Sequence, residues 1–341
     1  MKTKRIILIF ILLLGIVISA AIGSSELSVM DSLKIIFSPI PFFGKCMSPS
    51  ETTDIYSKIV WQIRMPRIVL AGLTGCGLSV VGATFQGMFR NPLADPHILG
   101  VSSGAALGAT IAMLSGIEFN LLGLGMIGSL SFIGALLTGL FVCQLSSIGS
   151  KLSVVNIVLI GTALSTMLSS IIAFLMTFHH DKIEKVYLWT LGSFFAATWE
   201  KVLFLAIITV ICCGVLMIFS GELDVITIGN DTAESLGIHT VRVKKILIMV
   251  SSLLVAACVS ISGIIGFVGL VIPHCIRMMS GPKHKVLLPL SCLGGAIFMI
   301  ICDTIARSVA APSEIPVGVI TAILGTPYFI YLLLHNKRGV L

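Results

Sequence analysis

The feature that most constrains this chain is its series of long apolar runs. About ten stretches, each near the roughly 20 residues a helix needs to cross a bilayer, follow one another from residue 6 to residue 334. They lie near 6–23, 64–87, 97–116, 121–144, 154–178, 200–220, 244–263, 264–280, 286–307 and 314–334. A soluble domain carries about a quarter charged residues; here 56% of the 341 residues are hydrophobic and only 11% are charged. Lipid is the solvent that stabilises such a composition. The fold class expected is an all-α integral membrane protein with about ten transmembrane helices, a single membrane domain over 1–341.

The first run follows Lys2, Lys4 and Arg5 and extends from Ile6 to Ile22. It resembles a secretory leader but exceeds the ~7–15-residue apolar core of one, so an uncleaved first helix is expected. Lys and Arg in short loops set orientation. With the N-terminus inside, the inner side holds thirteen of them, including Lys2, Lys4, Arg90, Lys151, Arg242, Lys283, Lys337 and Arg338, and the outer side nine, including Lys58, Arg64, Arg67, Lys201 and Arg307. An even helix number then places both termini in the cytoplasm.

The second and third runs carry small residues at every fourth position: Ala71, Gly75, Ser79, Ala83 and Gly87, then Gly100, Gly104, Gly108, Ala112 and Gly116. Residues four apart share a helix face, and small ones let backbones approach closely in a membrane. Asn91-Pro92-Leu93-Ala94-Asp95-Pro96 separates the two, which predicts a tight helical hairpin.

Chemistry is sparse. There is no GxxxxGK[ST] phosphate loop, so no means of binding ATP is visible, and no Cys/His or His/Glu spacing suggests a metal. No catalytic site, metal or cofactor is expected in this chain. The nine cysteines lie mostly in apolar runs as packing residues; Cys46, in a polar loop, is expected as a free thiol. Asp303 and Arg307, four apart, share a face as an ion pair or act at the outer surface. His274 and Arg277 suit an inner helix end. His179 and His180 beside Asp181 read as loop residues. No buried charge relay is visible, which argues against ion coupling. An ion-coupled secondary transporter of a small solute is nevertheless the alternative reading; its uptake collapses with the ion gradient and survives loss of an ATPase.

Gly221 to Lys245, GELDVITIGNDTAESLGIHTVRVKK, is too polar to span. Asp231 and Glu234 read as a capping box and Gly237 as the helix stop, with Ala233 and Leu236 on one face. A short turn from Leu223 to Ile228 precedes it and ends at Gly229. Two mini-helices with apolar residues make a docking element for a partner.

Taken together the motifs resemble the FecCD-type permeases of binding-protein-dependent ABC importers for ferric siderophores, haem and vitamin B12. They are WQIRMPR (61–67), GATFQGMFRNPLADPHILGVSSGAALGA (82–109), LWTLGSF (188–194), LDVITIGNDTAESLG (223–237), GFVGLVIPHCIR (266–277), CDTIAR (302–307) and EIPVGVITAILGTPYFIYLL (314–333). The resemblance covers about residues 60 to 334. It implies the type II ABC importer permease architecture and transport by ATP-driven alternating access. The partners implied are a second permease subunit, two ATP-binding subunits that carry ATP and Mg, and an extracytoplasmic substrate-binding protein, all at the bacterial cytoplasmic membrane and with no nucleic acid. The segment 221–243 matches the coupling region, with Asp231, Glu234, Leu236 and Gly237 at the ATPase. Arg64, Arg67 and Arg307 match the arginines that meet the binding protein, which accounts for the outer basic excess. Ser153, Asn156, Gly161, Thr162 and Ser165 match the translocation path, and the loop 145–152 the inner gate. The stretch 24–60 is longer than the family pattern, and Pro282 stands where the family has an acidic or polar residue.

Overall fold

Glycine and serine at four-residue spacing decide which helices touch. In the computed structural model, which describes residues 2–22, 35, 51–117, 123–146 and 154–336, every long element is a helix. In chain order these are α1 (Lys2–Ala21), α2 (Glu51–Lys58), a π-helical turn (Ile59–Arg64), α3 (Met65–Met88), α4 (Val101–Ser115), α5 (Gly125–Leu145), α6 (Val154–Thr177), α7 (Ile183–Thr190) and α8 (Trp199–Ile218). They continue with α9 (Ser220–Ile228), α10 (Asn230–Ser235), α11 (Thr240–Ser262), α12 (Val268–Ser280), α13 (His284–Ser308) and α14 (Val317–Asn336). Among the described residues seven helices are long and apolar enough to cross a membrane, and three more apolar helices, Val101–Ser115, Val268–Ser280 and Val317–Tyr331, are shorter. Ser153, the loop 147–152, Cys46, Lys337 and Arg338 lie outside the described residues, as does most of 24–50.

The expected α3/α4 hairpin does not pair its two small-residue stripes. A Cβ on Gly75 would overlap the carbonyl of Gly295, and one on Gly295 the carbonyl of Gly75, so α3 meets α13 backbone to backbone. On the same helix Gly82 lies against Gly269 of α12. The α4 stripe packs elsewhere: Gly104 and Gly134 abut reciprocally and Gly108 meets Leu130, both on α5. The reason is the connection between α3 and α4. Arg90 takes the left-handed conformation at φ 51° that glycine usually supplies after a helix, and Asn91 N–H closes on Gln86 O at 3.1 Å. Asn91 Oδ1 accepts from Leu93 N–H at 2.9 Å, and Asp95 Oδ1 from His97 N–H at 2.8 Å, starting a 3₁₀ turn over Pro96–Leu99. This cap-to-cap linker carries the chain away from α3 before α4 begins.

α3 is buried along almost its whole length, so it is the central post. α1 lies at the periphery, with Ile6, Ile7, Phe10, Leu13 and Leu14 exposed in the manner of a lipid-facing helix. Lys4 Nζ donates to Met279 O at 2.6 Å, which fixes the basal end of the bundle: the N-terminus of α1, the C-terminus of α12 and the α9–α10 pair. The opposite, apical end carries the C-terminus of α1, the N-terminus of α3 and the C-terminus of α13.

Between α11 and α12 the chain is non-helical over 263–267. Irregular backbone among membrane helices survives only when its polar groups are satisfied inside protein. His97 Nε2 bonds Ile265 O at 2.9 Å while its Nδ1 pairs with Ser102 Oγ. Ser193 N–H donates to Ser262 O at 2.8 Å, and Gln86 Nε2 donates to Leu270 O at 3.1 Å.

Gly75→Val places a branched side chain where a backbone carbonyl now lies. A loss of about 3 kcal/mol, the upper range of overpacking, is expected, read as earlier thermal unfolding of the detergent-solubilised protein. Gly214→Ala, where an added Cβ meets nothing within 4 Å, should leave the same transition in place.

Candidate functional site

At the basal end α9 and α10 form an elbow hinged at Gly229. The chain stops α10 as the sequence predicts: Gly237 sits at φ 81°, Ile238 N–H donates to Ala233 O at 3.0 Å and Gly237 N–H to Glu234 O at 2.9 Å, the two closing bonds of a Schellman motif. The capping box does not form. Gly229 is the N-cap and makes no side-chain bond, and Glu234 Oε1 accepts instead from Thr240 Oγ1 at 2.7 Å. Glu234 therefore ties α10 forward to α11, and Lys244 Nζ donates back to Asn230 Oδ1 at 2.9 Å. Asp231 lies in the first turn of α10, where a carboxylate opposes the positive helix end.

Ala233 and Leu236 do not share a buried face. Ala233 is fully buried, whereas Leu236 is 67% exposed and Ile228 is 73% exposed. A depression of about 310 Å³ lined by Glu234, Gly237, Ile238, His239, Thr240 and Val241 lies alongside. Two apolar side chains are thus presented on an otherwise polar elbow. From sequence Ile228 is named only as the end of the short turn before Gly229, and its exposure is set by the tertiary fold.

At the apical end three arginines converge. Arg67 makes a forked contact: Nε reaches both oxygens of Asp303 at 3.0 Å, Nη2 reaches Oδ1 at 2.8 Å, and Nη1 holds Glu314 at 2.8 and 2.9 Å. Planar bidentate pairing of this kind is the strong form of the ion pair. Asp303 does have its i+4 partner Arg307, but at 3.8 Å; its closer partner is 236 residues away. Arg307 Nη2 donates instead to Ser19 Oγ at 2.7 Å and to Ser19 O, and Arg64 Nη1 donates to Ala20 O at 2.5 Å and Ala21 O at 3.3 Å. The last carbonyls of α1, which lack intrahelical donors, are therefore capped by two guanidiniums. All three arginines are buried, and Glu314 is the exposed rim of the cluster.

The predicted path residues divide by position on α6. Asn156 and Thr162 are exposed, together with Thr166, Ser169 and Ser170. Gly161 is buried, and a Cβ there would overlap Ile98 O; Ser165 lies beside Gly100. Thr162, Thr166 and Ser170 donate to carbonyls of their own helix at 2.9–3.0 Å, so these three hydroxyl protons are already engaged, on a face that also exposes Val155, Leu159, Met167 and Phe174. Ser153, the first of the predicted set, is outside the described residues. Among the described residues no group of three His, Cys, Asp or Glu side chains is arranged to hold a metal ion.

Among the described residues, seven helices long and apolar enough to cross a bilayer, packed into one bundle, define a multi-pass membrane protein. The chain belongs to the FecCD transport family, whose model matches residues 11–335, and is a permease subunit of an ABC importer. It is similar to the cobalamin import permease of Halobacterium salinarum, 40% identical over 81% of this chain and 73% of that one. It is also similar to the molybdate import permease of Haemophilus influenzae, 36% identical over 97% and 95%. A solved ABC transporter of the metal-chelate type, in an inward-facing conformation, superposes with a TM-score of 0.84 at 33% identity, covering 98% of this chain and all of that one. The all-helical permease architecture expected from sequence is the one observed.

Asp303→Ala leaves Arg67 and Arg307 buried without their shared carboxylate, and breaking one side of such a pair is expected to destabilise by about 3–5 kcal/mol. The double variant Arg67→Met/Asp303→Leu should recover much of this. Thermal unfolding of Arg67→Met, Asp303→Leu and the double, read as a double-mutant cycle, checks the prediction.

Proposed function

We propose that this permease moves a metal chelate, a ferric siderophore or haem, or a corrinoid such as cobalamin, into the cell by ATP-driven alternating access. The observation that carries the reading is the elbow: Ile228 and Leu236, exposed on short capped helices, form an apolar foothold that a soluble partner covers. That partner is a pair of ATP-binding subunits, which supply ATP and Mg; Asp231, Glu234, Leu236 and Gly237 lie at the contact. The elbow end is then cytoplasmic, with both termini on that side of the bacterial cytoplasmic membrane, and the segment 221–243 is the coupling element of a single domain spanning 1–341. A second permease copy or close paralogue completes the path. The exposed face of α6 and the loop 145–152 are its wall and inner gate.

The apical arginines receive the extracytoplasmic binding protein by exchange. Arg64, Arg67 and Arg307 are engaged internally, but Glu314 is the outermost partner of Arg67, and a carboxylate of an arriving protein takes its place there. Charge pairing of this kind sets orientation and encounter rate more than affinity.

The direct test is uptake of haem, cobalamin or ferric citrate into proteoliposomes holding the complete complex. Uptake that requires internal ATP and persists with ionophores is expected; uptake that ignores ATP and collapses with the ion gradient contradicts the reading. Leu236→Asp should lower uptake by about tenfold or more, as loss of a buried interface anchor does, with the protein still inserted. Arg67→Glu should slow binding-protein association most at low salt, measured on immobilised permease.

A further inference from the structure

Asp224 lies on α9, just before the Gly229 hinge, and its Oδ1 makes two bonds to one residue of another helix: it accepts from the backbone N–H of His284 at 2.8 Å and meets His284 Nδ1 at 2.6 Å. His284 is the first residue of α13, a 25-residue helix, and no side chain of α13's own N-cap, Lys283, closes its start. The carboxylate of α9 thus caps α13 in trans, at the helix end where the macrodipole favours negative charge. The imidazole itself is buried. It is wedged against α3, where a Cβ on Gly87 would overlap His284 Nε2 and also lie 3.2 Å from Leu223 of α9. One side-chain pair therefore joins the elbow to the two most tightly packed helices of the bundle, α3 and α13.

Among the described residues the other side-chain hydrogen bonds from the elbow to a neighbouring long helix run to the helix that follows it, through Glu234–Thr240 and Asn230–Lys244, while the buried Leu223 of α9 adds an apolar contact at Gly87 of α3. Those bonds hold α10 onto α11. They do not reach α3.

We propose that Asp224 and His284 are the positioning pair through which movement of the elbow is delivered to α3 and α13. The proposal rests on the reading that an ATPase works the chain at the elbow. Coupling between sites is carried by rigid elements linked through specific contacts, and here the link is a charged hydrogen bond set on a helix start and backed by a glycine. Asp224 is a positioning residue: it touches neither cargo nor nucleotide. Lateral motion of α9 pulls the N-terminal turn of α13, and with it the close-packed Gly75–Gly295 contact along the same helix pair.

The test uses the full permease–ATPase complex in liposomes with Thr162→Cys on the exposed face of α6, labelled by a membrane-impermeant maleimide with and without ATP plus orthovanadate. ATP hydrolysis and ATPase retention are followed in parallel. Asp224→Ala and His284→Ala are expected to keep the ATPase bound and hydrolysing while the nucleotide-driven change in labelling falls about tenfold, the scale that single contacts along a coupling route achieve. Asp224→Asn keeps an acceptor for the His284 N–H without the charge and should restore part of the response, which separates transmission from loss of fold. If the Asp224 and His284 variants respond as the parent does while Leu236→Asp abolishes the response, the pair is not the link and the elbow reading stands. If Leu236→Asp also leaves the response unchanged, the elbow is not where the ATPase acts, and both readings fall.

Discussion

Everything in this bundle is arranged around the direct contact of two backbones. Gly75 and Gly295 bring α3 and α13 so close that neither tolerates a Cβ, and between lipid-solvated helices, dispersion and weak hydrogen bonds at such a seam supply what the hydrophobic effect supplies in water. Once α3 and α13 are joined, their ends are fixed. At one end Asp303 of α13 is brought within reach of Arg67 of α3; at the other, His284 of α13 is pressed onto Gly87 of α3. The apical ion cluster and the basal joint are two ends of one helix pair, which is why a residue pair at the elbow has a mechanical route to the far side.

The second organising constraint is that lipid offers no hydrogen bonds. At several breaks and helix ends among the described residues a specific side chain meets the backbone: His97 at Ile265, Gln86 at Leu270 in the first turn of α12, Arg64 and Arg307 at the last turn of α1. These polar residues look anomalous in apolar runs, and in a transport protein they invite assignment as cargo ligands. Their geometry assigns them to the backbone first. For Arg67 and Arg307 the internal role and a docking role are compatible only through exchange at the rim, where Glu314 is partly exposed.

The sequence was most legible where information is local. Apolar runs located the long helices to within a few residues, and Gly237 marked the end of α10 because a left-handed stop is a property of one residue. The stretches were also right to identify small-residue faces, but a face does not name its partner: α3 turned to α12 and α13, and α4 to α5, because the Asx turn, the Asp95 cap and the left-handed Arg90 redirect the linker. Glu234 has the spacing of a capping box yet bonds Thr240, since Gly229 offers the helix start no side chain and α11 brings a hydroxyl close. Asp303 reads as the i+4 partner of Arg307, but a guanidinium from 236 residues away has the better geometry. The short α7 and the exposure of Ile228 likewise depend on tertiary placement that no periodicity encodes.

The hydroxyls of α6 have a consequence for the path proposed above. Thr162, Thr166 and Ser170 turn their protons back onto their own helix, among exposed apolar side chains such as Leu159, Met167 and Phe174, so these three positions offer oxygen lone pairs rather than free hydroxyl donors. As the wall of that path, such a face would make few directional bonds to a cargo, which would leave discrimination between cargoes to the proposed binding protein.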